Sequence, residues 1–323
     1  MSNKKVIVCG AGGFIGTHLV TSLKQKGYYV IGADLKYPEY SKTDADEFYL
    51  YDLIDQSLVD NLLGNQVDEI YQLAADMGGA GYIFTGNNDA HIMQNSATIN
   101  LNILRSLLKY KTCNKIFYSS SACAYPAEAQ TKTDSPALKE EDAYPANPDS
   151  EYGWEKLFSE RLYMSHARNH GLQVRIARFH NIFGPLGSWN NGKEKSPAAI
   201  CRKVAEATDE IEVWGDGTQT RSFLYVDECV YGIHQLMASS YDKPLNLGSD
   251  RQISINELAA IVAKIAGKSI NIKHVPGPRG VVGRCSDNGK IQEVLGWKPK
   301  DTLEYGLTQT YNWILSRINQ QEG

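Results

Sequence analysis

Three absences narrow what this chain can be. No apolar run approaches the roughly 20 residues of a membrane-spanning helix, so no bilayer span is expected. Positive charge is not in surplus: 33 Lys and Arg face 37 Asp and Glu, a formal net charge of -4. That argues against general nucleic-acid binding, which needs a basic footprint. The six cysteines (Cys9, Cys113, Cys123, Cys201, Cys229 and Cys285) contain no C-x-x-C pair. Scattered over 323 residues, they read as reduced thiols of a cytoplasmic protein, with neither a disulfide framework nor a metal site expected. Internal repeats and low-complexity tracts are missing too. The N-terminal "MSNKKVIVCGAGG" runs straight into a strand, so no signal peptide is expected.

What is present is the make-up of an ordinary globular protein, 42% hydrophobic and 22% charged, in a chain long enough for a sizeable core. The first half alternates short apolar runs with helical patterns. "KVIVCG", "YYVIGAD", "VDEIYQLAA" and "KIFYSSS" read as strands, and "FIGTHLVTSLKQKG" and Asn95–Lys111 read as helices. Such alternation predicts parallel strands joined by crossover helices, an α/β doubly wound sheet of the Rossmann type. After "VRIARF" the pattern loosens into Gly/Pro turns and short elements. The expected division is a dinucleotide-binding domain over 1–182 and a smaller α/β domain over 183–323 that mainly binds substrate. "RSFLYVDECVYGIHQLM" is expected to return to the sheet as a strand and helix near 222–240.

"GAGGFIG" sets Gly10, Gly13 and Gly16 between a strand and a helix, with Phe14 and Ile15 at the helix start. A pyrophosphate needs a tight turn, a backbone it can touch and free helix N–H groups. The triplet alone also fits a plain strand–helix turn; its place after "KVIVC" favours dinucleotide binding. Asp34 ends the second strand about twenty residues on, where a carboxylate accepts from the ribose hydroxyls and repels a 2′-phosphate. That favours NAD over NADP, although Lys36 nearby keeps NADP open. Asp52 and Leu53 of "YDL" offer an adenine contact or a plain turn. Leu73, Ala74 and Ala75 are small enough for a cofactor to lie against them, or simply pack closely.

"EYGWEK" puts Tyr152 and Lys156 four apart on one helical face. A phenol titrates near 10 and is a poor base at neutral pH, but a neighbouring ammonium favours the phenolate. Tyr-x-x-x-Lys also occurs as a surface pair. The hydroxyl of Ser121, at the end of a strand upstream, can hold a substrate alcohol against the phenol. The next residues are Ala122 and Cys123, and a thiol here is either an inert core group or part of a reaction centre. His180 and His91 read as structural hydrogen-bonders, and Trp189 lies where a sugar could stack.

The glycine triplet, "LAA", "SSSA", "YGWEK" and "RFHNIFGP" together resemble the extended short-chain dehydrogenase/reductase family of NAD-dependent epimerases and dehydratases. Five segments are similar to its 3,5-epimerase branch: "LAADMGGAGYI", "SSACAYP", "RFHNIFGPLGSWNNGKEKSPAAICRK", "WGDGTQTRSFLYVDECV" and "PGPRGVVGRCSDN". The resemblance spans nearly the whole chain. It implies bound NAD, a GDP-sugar substrate and conversion of GDP-D-mannose to GDP-L-galactose and GDP-L-gulose. The chemistry implied is transient oxidation of carbon 4, which makes the hydrogens on carbons 3 and 5 removable. Tyr152, Lys156 and Ser121 would serve the oxidation, and Cys123 and Lys195 the proton transfers on opposite faces. Glu194 would tune Lys195, and Lys203, Arg221 and Arg284 would bind pyrophosphate, with Asn181, Gln219 and Gly81 as neutral contacts. A homodimer built on the helices around Asn95–Lys111 and Tyr152–His170 is also implied. A dehydratase would carry an acidic residue where this chain reads "SAC". A carbon-4 epimerase would leave Cys123 and Lys195 idle, and a non-catalytic dinucleotide-binding regulator would lose one of Ser121, Tyr152 and Lys156.

Overall fold

The computed structural model describes residues 4–277 and 280–321; Pro278 and Arg279, inside the quoted "PGPRGVVGRCSDN", lie outside the described residues. Seven parallel strands form the central sheet. Their spatial order is Pro244–Leu247, Gln173–Phe179, Lys115–Ser121, Glu69–Gln72, Lys5–Cys9, Tyr29–Asp34 and Glu47–Leu50. The inner strands are buried on both faces, which is why "VIVC" and "IFYSS" read as continuous apolar or small-residue runs without alternation. Strand order reverses between Lys5–Cys9 and Glu69–Gln72, and at such a reversal the carboxyl ends of the strands leave a crevice for a ligand. Gly10 and Leu73 follow directly on those two strand ends.

The two long helices form where periodicity places them, with ends set by local chemistry. The first runs Asp89–Tyr110, starting earlier than Asn95, and stops at Lys111 in a left-handed conformation. The second runs Glu151–His170: the Ser150 side chain accepts from Gly153 N, and Gly171 closes it at φ 70°.

The segment expected to return near 222–240 does so differently. Thr220–Ser222 belongs to a small sheet with Gln252–Ser254 and Gly283–Arg284, and Leu224–Tyr225 pairs with Ile182–Phe183. Their backbone groups are thus already paired outside the main sheet. The Val226–Ala238 helix joins the apolar core through Val226, Val230, Ile233, Leu236 and Met237, together with Phe223, Leu224 and Tyr225 just before it. The strand that completes the sheet is Pro244–Leu247, beyond that segment. One apolar core runs from Val6, Val8 and Tyr71 of the sheet to Ile200, Trp297 and Tyr311 of the later chain.

Candidate active site

A cleft of about 600 Å³ opens along the crevice and is lined by both halves of the chain, from Gly10 and Asp34 through Ser121, Tyr152 and Lys156 to Lys195. Its floor at the glycine turn admits no side chains. A β-carbon at Gly10 would come within 2.8 Å of Ala74 N, one at Gly12 within 2.0 Å of the Lys36 carbonyl oxygen, and one at Gly16 within 1.9 Å of the Gly10 carbonyl oxygen. Gly12 was not part of the spacing argument, yet it is the residue whose N–H donates to Asp34 Oδ2 at 2.9 Å. Gly13 caps the Phe14–Gln25 helix without a side-chain acceptor, so that helix start presents bare backbone. Asp34 ends its strand against the cleft, where burial pushes its carboxyl up and backbone N–H groups pull it back. Asp52, Leu53, Leu73, Ala74 and Ala75 line the same space. A glycine cradle, an uncapped helix start and a carboxylate at the second strand end are what a dinucleotide's pyrophosphate and ribose need. The site fits NAD.

Tyr152, Lys156 and Ser121 converge at the other end of the cleft. Lys156 Nζ donates to the Ser119 carbonyl at 3.0 Å and stands 5.0 Å from the Tyr118 ring centre and 5.6 Å from that of Tyr152. Lys156 was expected to draw Tyr152 toward phenolate. In the protein itself burial prevails and pushes the phenol up, with Cys123 and Glu155 adding to it and a hydrogen bond from Ser121 opposing. Burial also pulls the Lys156 ammonium down.

Ser121 closes its strand, and its hydroxyl accepts from Cys123 N at 3.2 Å, opening the one-turn 3-10 helix Ala122–Ala124. This answers why a thiol follows three serines: the turn carries Cys123 off the strand end and packs it beside Tyr152, Ile83 and Ile92. Burial and then Asp149 push the Cys123 thiol up, while Arg284 and Ser121 pull it down, so the net shift favours the protonated form. Lys195 caps the Ser196–Glu206 helix and lines the cleft. Burial draws its ammonium down, opposed by its proximity to Cys123 and Cys229. The backbone brings the lysine loop in close: a β-carbon at Gly79 would meet the Glu194 carbonyl oxygen at 2.6 Å, and Lys193 Nζ stands 4.4 Å from the Tyr82 ring centre.

The remaining expected contacts are placed less directly. Glu194 turns to Arg202, 3.6 Å away. Lys203 Nζ donates to the Glu212 carbonyl at 2.6 Å, Gln219 Nε2 to Trp214 O at 3.2 Å, and Asn181 Nδ2 to Ser222 O at 2.9 Å. Arg221 donates to Thr220 O at 2.7 Å and Val281 O at 2.6 Å, and lies beside Arg284 in parallel register. Gly81 is exposed in the short Ala80–Ile83 helix, whose Tyr82 and Ile83 pack with Cys123. Arg284, expected on a pyrophosphate, is buried against the Cys123 thiol at 3.3 Å. His180 is buried and tied to Asn246 Oδ1 at 2.9 Å, His91 is exposed, and Trp189 is buried as packing. Asp149 and Gln130, which hold Arg284, carry no sequence signal beyond a polar residue near a helix start and a lone glutamine.

Residues 6–248 match the NAD dependent epimerase/dehydratase family. The chain is 45% identical to GDP-mannose 3,5-epimerase of Arabidopsis thaliana over 99% of its own length and 84% of that protein. It is likewise 45% identical to GDP-mannose 3,5-epimerase 1 of Oryza sativa subsp. indica, over 98% and 83%. Among solved structures, UDP-glucose 4-epimerase of Thermotoga maritima with UDP-glucose superposes with a TM-score of 0.86 at 26% identity, covering 97% of this chain and 99% of that one. A dinucleotide cradle at the switch point, a serine–tyrosine–lysine group on the same cleft and these matches lead to one conclusion: the chain belongs to the NAD dependent epimerase/dehydratase family.

Proposed function

We propose that the protein epimerises GDP-D-mannose at carbons 3 and 5, giving GDP-L-galactose and GDP-L-gulose. What supports this reading is that Lys195 lines the same cleft as Ser121, Tyr152 and Lys156, while Cys123 packs beside Tyr152 and is near enough to act electrostatically on Lys195. A carbon-4 epimerase needs only Ser121, Tyr152 and Lys156. The 45% identity to two GDP-mannose 3,5-epimerases supports the same substrate.

The chemistry follows from the residues. Bound NAD supplies a hydride acceptor and donor for carbon 4. Tyr152 takes the proton of the carbon-4 hydroxyl, Ser121 orients that hydroxyl, and the buried Lys156 favours the phenolate as it forms. A ketone at carbon 4 lets the hydrogens on carbons 3 and 5 leave as protons. Cys123 and Lys195 then act as a complementary pair. The thiol holds a proton that burial makes hard to lose, and the amine is drawn toward its neutral form. Removal by one and delivery by the other inverts a centre, so one proton passes in effect from thiol to amine and the pair's proton count is unchanged. Arg221 and Lys203 bind the GDP-sugar with Asn181, Gln219, Gly81 and Glu194, which requires those now bonded to the backbone to exchange partners, while Arg284 stays at the Cys123 thiol.

The second copy of a homodimer would cover the two long helices, which expose Leu101, Leu108, Trp154 and Phe158. The six cysteines are unpaired and buried, which supports a reducing, cytoplasmic setting. Among the described residues no helix is long and apolar enough to cross a membrane. The test of the activity is incubation of the purified protein with GDP-mannose and analysis of the sugar by NMR. Appearance of the galacto and gulo products supports the reading, and a product inverted at carbon 4 alone replaces it.

A further inference from the structure

Arg284 and Asp149 form an ion pair whose side chains are only 6% and 3% exposed. Buried pairs add little net stability, because the desolvation of both charges offsets their attraction. This one fixes a direction. The guanidinium is a planar fork with each nitrogen engaged by a different residue: Nε donates to Gln130 Oε1 at 2.5 Å, Nη2 to the Asp149 carboxylate, and Nη1 to Cys123 Sγ at 3.3 Å. With three partners in one plane, Arg284 has no freedom to turn. Asp149 directly precedes Ser150, the cap of the helix that carries Tyr152 and Lys156. One carboxylate therefore ties the arginine at the thiol to the start of the oxidation helix.

We propose that Asp149 is a positioning residue for proton transfer: it pins Arg284 so that one guanidinium N–H rests on Cys123 Sγ, and its negative charge offsets that guanidinium's pull on the sulfur. The proposal rests on the reading that Cys123 moves a proton. An arginine alone beside a thiol favours the thiolate. With the carboxylate present the sum goes the other way: burial and Asp149 push the thiol up against the opposing Arg284. Cys123 thus holds a proton to deliver, while Arg284 remains in place to stabilise the sulfur once the proton has left. Gln130 holds the guanidinium from its other edge, and Asp149→Asn keeps an acceptor oxygen for Nη2, so that substitution removes the charge while leaving the tether.

The test compares the NAD-loaded parent enzyme with Asp149→Asn. The rate of iodoacetamide alkylation at the Cys123 peptide is followed by mass spectrometry as a function of pH. Removing a negative charge near a thiol lowers its titration point, so the alkylation midpoint should fall by about one pH unit. The pH optimum for deuterium exchange into GDP-mannose should move in the same direction. A midpoint that stays put or rises overturns the proposal. Arg284→Lys gives an independent arm and covers the case in which Asp149→Asn does not fold. An ammonium cannot span the three partners, so the midpoint should rise, and an unchanged midpoint again overturns the proposal. The alkylation arm needs no substrate. A parent enzyme that never exchanges carbon-bound hydrogens of GDP-mannose would sink the substrate reading while the midpoints still decide the role of Asp149.

Discussion

A β-carbon placed on Gly153 would lie 2.0 Å from the carbonyl oxygen of Cys123. The oxidation helix and the proton-transfer turn are therefore packed backbone to backbone, with no room between them. The glycine of "EYGWEK" sets this distance: it lets Tyr152 and Cys123 share one small apolar cluster. Any side chain there must push the two apart, because the clashing atom is backbone and cannot rotate away.

Gly153→Ala is accordingly expected to cost more in activity than in folding. Overpacking of this kind costs about 1–3 kcal/mol, which the two long helices and the continuous core should survive. Turnover should drop at least about tenfold, since a small misplacement of reacting groups is expensive. Melting temperature and kcat measured side by side check this; a variant with parental kcat would mean that the packing is not needed for catalysis.

Asp34 accepts from Gly12 N and presents a carboxylate to the crevice at the end of the second strand, the position proposed for the adenosine ribose. The protein should bind NAD in clear preference to NADP, because a 2′-phosphate would meet that negative charge. Calorimetric titration with both dinucleotides decides, and equal affinity would contradict the role given to Asp34.

Tyr152→Phe removes one hydroxyl from a buried site and no charge. Oxidation at carbon 4 should be lost, by about 10²–10⁴-fold for a proton acceptor, while GDP-sugar affinity stays near the parent's. Binding by calorimetry and turnover by NMR separate the two effects. Parent-like turnover would place the redox group elsewhere.

His180 titrates far from neutrality. Burial, and the nearby Arg284 and Arg178, pull it down to about 3, although its bond to Asn246 opposes them. In the unfolded chain it returns to its ordinary 6.5. Between those values the unfolded state binds a proton that the folded state refuses, so stability falls as pH drops through this window. His180→Gln should flatten that fall in urea unfolding series, partly, since His234 is also lowered to about 4. Identical pH slopes for parent and variant would contradict the assignment.

Much of this arrangement is legible in the residues. The strand–glycine–helix start, the spacing of Tyr152 and Lys156, and Ser121 at a strand end are local patterns, and local patterns are what periodicity and turn chemistry report. Cys123 and Lys195 came from likeness to a family, because two residues 72 positions apart leave no joint signature in the chain. Asp149, Gln130 and the thiol-facing orientation of Arg284 were not legible. Their meaning depends on the pairing of Gly283–Arg284 with Thr220–Ser222, a long-range contact between short strands. The edge strand Pro244–Leu247 escaped notice for a related reason. It is four residues long and opens with proline, a residue confined within sheets to edge strands, strand starts and bulges. The burial that opposes ionisation of Tyr152 and Cys123 was not legible either, because spacing shows which charges are near and says nothing about burial.

The most direct measurement is deuterium incorporation at carbons 3 and 5 of GDP-mannose in D₂O, read by NMR for the parent enzyme, Cys123→Ala and Lys195→Ala. Both variants keep Tyr152 and the NAD crevice, so each should still oxidise carbon 4. Loss of a general acid or base is typically worth about 10²–10⁴-fold. Cys123→Ala should therefore lose label on the face the thiol serves, and Lys195→Ala should form no epimerised product. The account predicts a parent that labels both carbons and two variants that do not. A Cys123→Ala enzyme that labels both carbons at the parental rate, or a parent that labels neither, would contradict it.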